Sequence, residues 1–125
     1  GSVVHTHSIY ATTLACLRLD LPPVHYLIGH AGARVPLAPY ATVGTPALAQ
    51  TVADTIGDAN AVLLANHGLV AVGPDLESAF TTADAIEFVA RMYYQALVIG
   101  EPKLLSQAEM AEVLEKFETY GQRPT

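Results

Sequence analysis

The first apolar and β-branched run, Val3 to His7, predicts a strand that ends in two histidines. Ser8 then stands where a helix cap belongs, and Tyr10, Leu14 and Leu17 follow at helical spacing until Asp20, before Pro22-Pro23. Val24-His25-Tyr26-Leu27-Ile28 predicts a short buried strand, with His25 and Tyr26 on opposite faces. After it, the stretch holding Gly29, His30, Gly32, Pro36, Pro39 and Gly44 predicts a long functional loop.

Thr45-Pro46 opens a helix through Leu48, Val52 and Ile56, closed by Gly57. Ala61 to Asn66 predicts an apolar strand that His67-Gly68 breaks, and Leu69 to Val72 resumes the run. A hairpin or strand bend there puts His67 at its corner. From a cap at Asp75, Phe80, Ala83, Ile86, Phe88, Ala90, Tyr94 and Leu97 mark a helix of about 24 residues reaching Gly100. Ser106-Gln107-Ala108-Glu109 has the form of a capping box, with Met110, Val113, Leu114 and Phe117 behind it. Strands alternating with helices and no linker give one α/β domain over residues 1–125.

Composition narrows the function. Of 125 residues, 51% are hydrophobic and 14% charged, which excludes a disordered chain. The net charge of −6 and the absence of any Lys/Arg cluster leave nothing for a phosphate backbone, so nucleic acid is not an expected partner. Nine of the twelve acids lie from Asp75 onward and read as solvated helix faces. No apolar run approaches the ~20 residues of a membrane helix, and no basic leader precedes the histidines. A cytoplasmic protein is therefore expected, in keeping with a single cysteine, Cys16, read as a small buried helix residue.

The candidate chemistry lies in the histidines. On a strand, His5 and His7 project to the same side and can share one ion. His67, where an apolar strand reaches a polar pair and a glycine, is the third candidate. Three imidazoles suit Zn²⁺ or another divalent transition metal, with a position left for a carboxylate, water or substrate oxygen. From the residues alone, Tyr26 reads as a core residue with its hydroxyl at the rim and Tyr120 as a tail residue. No P-loop, G-x-G-x-x-G or G-x-S-x-G is present.

Taken in order, Val3-Val4-His5-Thr6-His7-Ser8, Pro22-Pro23-Val24-His25-Tyr26, Ala38-Pro39-Tyr40-Ala41-Thr42-Val43-Gly44-Thr45 and Asn66-His67-Gly68-Leu69 resemble the class II aldolase/adducin family. The likeness runs on to Leu114-Glu115-Lys116-Phe117-Glu118-Thr119-Tyr120-Gly121. It implies an α/β/α three-layer fold with a mainly antiparallel central sheet and a homotetramer. It implies His5, His7 and His67 as zinc ligands and Tyr26 as a proton donor to the aldehyde end of the substrate, reaching a neighbouring subunit's site. It also implies that Tyr120 closes over the site.

The implied reaction is cleavage of a sugar phosphate, a ketose 1-phosphate such as L-fuculose 1-phosphate, to dihydroxyacetone phosphate and an aldehyde. A bound divalent ion stabilises the charge that the broken carbon–carbon bond leaves behind. The two lysines, Lys103 and Lys116, lie away from the histidine motifs, as a route without a Schiff base requires. In the family a glutamate completes the metal site and acts as base, and a Gly/Ser/Thr-containing stretch holds the phosphate, both in the N-terminal half. Neither is found here, so the chain is expected to be the C-terminal part of a longer enzyme. A pentulose-phosphate 4-epimerase, a sugar-phosphate dehydratase and a decarboxylating relative are the rival activities. A non-catalytic adducin-like interaction domain is the rival without chemistry.

Overall fold

The structure, a computed structural model, describes residues 1–120. Four strands, β1 (Ser2–Thr6), β2 (Leu37–Ala38), β3 (Ala61–Leu64) and β4 (Gly68–Gly73), form one sheet in the order β1-β4-β3-β2. β4 runs antiparallel to both β1 and β3, and β2 pairs parallel with β3. The sheet is thus mixed and mainly antiparallel.

Alternation along the strands divides the apolar residues between two layers. Ala61, Leu63, Leu69, Ala71 and Val4 face the larger core, which α1 (Ile9–Cys16), α3 (Leu76–Ile99) and α4 (Gln107–Tyr120) help to close with Leu14, Ile86, Val89 and Met110. Val62, Leu64 and Val70 point the other way, with Ala38, and meet Leu48, Val52 and Ile56 of α2 (Pro46–Ile56). Helices therefore lie on both faces, the three-layer α/β/α arrangement that the family resemblance implies.

The expected helices form, with caps of differing quality. Asp75 accepts from the Ser78 N–H at 2.7 Å, and Ser106 and Glu109 exchange both bonds of a capping box. Ser8 makes no side-chain cap bond. In its place the half-buried Glu87 carboxylate of α3 accepts the N–H groups of Tyr10 (3.1 Å) and Ala11 (2.8 Å). Those donors have no partner inside the helix, and a carboxylate suits the positive end of its dipole. Glu87 is thus a structural anion, where the sequence suggested a solvated one.

Three further expectations are corrected. Val24–Ile28 is no strand: His25 is extended, its Nδ1 accepts from the Leu27 N–H, and a 3-10 helix runs Tyr26–His30. Gly29 sits there because a Cβ would overlap the Phe117 ring of α4. The loop beyond it contains β2 and a bridge between Leu21 and Val35, so part of it belongs to the sheet. Cys16 is exposed; Ala11, Leu14 and Ala15 take the buried side of α1 and Cys16 falls next to them around the helix.

Glu87→Ala is expected to lower stability by about 1–2 kcal/mol, because it strands two helix N–H groups. Ser8→Ala should change it by a few tenths at most. Urea midpoints of the two variants check this, and a larger loss for Ser8→Ala would contradict it.

Candidate metal centre

β1 and β4 pair so that His5 stands opposite Val70 and Thr6 opposite Leu69. Paired residues share a face, so His5 projects with Val70 toward the α2 layer, and His7 follows two residues on. The β3–β4 hairpin closes at Leu64 to His67, where the His67 N–H donates to the Leu64 carbonyl at 3.0 Å. Asn66 is left-handed in that turn (φ 58°). Gly68 follows because the first strand crosses so closely that a Cβ would overlap the Thr6 carbonyl oxygen and sit 3.1 Å from His7 Cδ2.

Three imidazoles therefore meet. The ring centroids of His5, His7 and His67 lie 4.9 Å, 4.9 Å and 5.0 Å apart, all edge to face, and one nitrogen from each falls within 4.8 Å of the others. His5 Nε2 is 3.2 Å from His7 Nε2. Two nitrogens bound tetrahedrally at about 2.05 Å sit about 3.3 Å apart, so this pair already has the spacing a zinc-sized ion needs. His5 Nδ1 lies 2.9 Å from the Leu69 carbonyl; donating there, a neutral ring turns the Nε2 lone pair into the cluster. Burial, then the neighbouring His5 and His7, push the His67 pKa below the ordinary histidine value, which keeps a lone pair available for a cation. The donor set fits a divalent transition metal.

The other candidates lie elsewhere. Tyr26 is 52% exposed, with its ring 4.7 Å from His25 and 6.4 Å from Phe117, so the two neighbours expected on opposite faces are side by side. It belongs to an aromatic group built by the 3-10 helix and α4 on the α3 and α4 side of the sheet, whereas His5 projects with Val70 toward the α2 side. Tyr120 ends α4, and its side chain lies outside the described residues. His30 stacks on Phe117 at 4.7 Å, and burial lowers its pKa as well.

The family model for the Class II Aldolase and Adducin N-terminal domain matches residues 1–94. The chain is 52% identical over 123 residues to 5-deoxy-D-ribulose 1-phosphate aldolase of Bacillus thuringiensis serovar kurstaki, covering 98% of this chain and 58% of that one. It is 43% identical over 125 residues to L-fuculose phosphate aldolase of Escherichia coli strain K12, again with 98% and 58% covered. A solved L-fuculose 1-phosphate aldolase superposes with a TM-score of 0.92 at 45% identity, over 93% of this chain and 55% of that one. The chain spans somewhat more than half the length of the relatives it matches.

The histidine shifts set a pH dependence for the metal-free chain. With His30 and His67 both lowered on folding, the unfolded chain binds more protons just below its own histidine values. Stability should fall as pH drops from about 6.5 and level off once the folded-state values are passed. Urea midpoints at pH 7.5 and 5.5, with chelator present, check this; a flat or rising midpoint toward pH 5.5 would contradict it.

Proposed function

The chain belongs to the class II aldolase and adducin family, and from that premise we propose that it carries the metal-binding part of a sugar-phosphate aldolase. The reaction is cleavage of the C3–C4 bond of a ketose 1-phosphate to dihydroxyacetone phosphate and a short aldehyde. The observation that supports this best is the convergence of His5, His7 and His67 on a frame that superposes on a solved L-fuculose 1-phosphate aldolase. These three imidazoles would hold Zn²⁺ or another divalent transition metal, which when bound supplies Lewis-acid stabilisation of the charge left on the dihydroxyacetone phosphate half. His5 is held by the Leu69 carbonyl and His67 by its turn, so two of the three ligands are oriented in advance.

The fourth ligand and base, a glutamate, and the phosphate-binding stretch belong on this reading to the part of the relatives that the chain does not span. Activity is accordingly proposed for the chain together with that part, and the chain alone is expected to bind metal weakly and not turn over. Tyr26 would give a proton to the aldehyde oxygen at the site of a neighbouring copy in a homotetramer; its exposure and its separation from its own chain's histidines support this. Tyr120 would close over the site. The enzyme would work in the cytoplasm, and no helix of the described residues is long and apolar enough to cross a membrane.

A second substrate is favoured by one finding. The relative at 52% identity acts on 5-deoxy-D-ribulose 1-phosphate, against 43% for one acting on L-fuculose phosphate. On that reading the aldehyde released is the two-carbon acetaldehyde in place of lactaldehyde. The epimerase, dehydratase and decarboxylase readings predict no dihydroxyacetone phosphate from either sugar, and an adducin-like domain predicts no turnover at all.

With the longer enzyme, either sugar phosphate should yield dihydroxyacetone phosphate in a coupled assay, and chelator should abolish the yield. His7→Ala should cost about a hundredfold or more in kcat/KM, and Tyr26→Phe about a hundredfold. Mixing these two inactive variants should restore part of the activity if Tyr26 serves a neighbouring subunit. Cleavage that persists in chelator would sink the metal route, and mixtures without recovery would sink the shared site.

A further inference from the structure

Among the described residues two besides glycine have a left-handed backbone, Arg18 (φ 53°) and Asn66 (φ 58°). Side-chain-bearing residues adopt that conformation at a cost, and Asn adopts it more readily than Arg. The two lie 48 positions apart in sequence, yet Arg18 Nε donates to Asn66 Oδ1 at 2.9 Å. Their backbones meet as well, since the Ala15 carbonyl accepts the N–H groups of both Arg18 and Asn66 at 3.0 Å each. The end of α1 and the hairpin corner are thus tied twice, once through the main chain and once through the guanidinium.

What the tie holds is the residue before His67. Asn66 is the third position of the turn from Leu64 to His67, and its backbone angles decide where the next side chain starts. Arg18 is exposed, and the one ion pair among the described residues, Arg34 with Asp20, does not involve it. A long cation at the surface is ordinarily mobile; this one is spent on an amide oxygen beside a candidate ligand. The sequence gives no hint of the contact, because nothing in α1 or in Asn66-His67 announces a partner so far along the chain.

We propose that Arg18 is a positioning residue for the metal centre: through Asn66 it fixes the turn that sets His67 against His5 and His7. The inference rests on the metal reading of the three histidines. Groups that orient ligands without touching the ion typically change metal affinity by 10- to 100-fold. An exposed hydrogen bond belongs at the lower end of that range.

Cobalt titrations of the chain, followed by the visible d–d absorption of Co²⁺, test it. Arg18→Ala should bind Co²⁺ about tenfold more weakly, with a changed band. Arg18→Gly eases the left-handed backbone yet lacks the guanidinium, and should lose as much. Asn66→Ala should lose a similar amount, Asn66→Asp should keep most of the affinity because it retains the acceptor oxygen, and Arg18→Ala with Asn66→Ala should be no weaker than either alone. Full affinity with an unchanged band in a folded Arg18→Ala chain, or additive losses in the double variant, overturns the proposal.

Hydrogen exchange separates the two ways of failing. If the unaltered chain takes up no cobalt, the metal reading falls and takes the proposal with it. If cobalt binds and the His67 amide exchanges no faster in Arg18→Ala, the positioning role alone is overturned.

Discussion

The antiparallel register between β1 and β4 is the constraint on which the rest depends. With Thr6 opposite Leu69, the strand that carries His5 and His7 reaches the corner that carries His67, and three side chains from two distant parts of the chain share one space. A slip of one residue would turn His5 and His7 to the core face and bring Val4 out. The buried apolar sets on the two faces resist that slip, since Val4, Leu69 and Ala71 fit the large core while Val62, Leu64 and Val70 fit α2. The packing that stabilises the domain is therefore also what aligns the histidines.

Around that register the chain places small, specific supports. Gly68 permits the close crossing at Thr6, the Leu69 carbonyl orients His5, and the turn at Asn66 delivers His67. Glu87 ties the start of α1 to α3, while Arg18 ties its end to the hairpin corner. α1 begins two residues after His7 and ends against the residue before His67, so one short helix braces both sides of the cluster.

Much of this was legible along the chain because its signals are local. The long helix announces itself through Asp75 and its apolar spacing, α4 through Ser106 and Glu109, and the hairpin through two apolar runs around His67-Gly68. The H-x-H pair is legible because strand alternation alone puts two histidines on one side. What escaped depends on contacts from far away. Val24–Ile28 has the composition of a strand, but His25 caps a 3-10 turn and Gly29 makes room for Phe117, more than eighty residues on in the sequence. Leu37–Ala38 is too short to show any period and becomes strand only by pairing with β3. Glu87 and Arg18 look like ordinary surface charges until the fold gives each a partner.

The central claim is that His5, His7 and His67 bind one ion together. X-ray absorption at the zinc edge, on the chain loaded with one equivalent of Zn²⁺, measures this most directly. The account predicts three imidazole nitrogens at about 2.0–2.1 Å from the metal, completed by an oxygen donor. A spectrum with only one imidazole, or zinc spread over unlike sites, would contradict it.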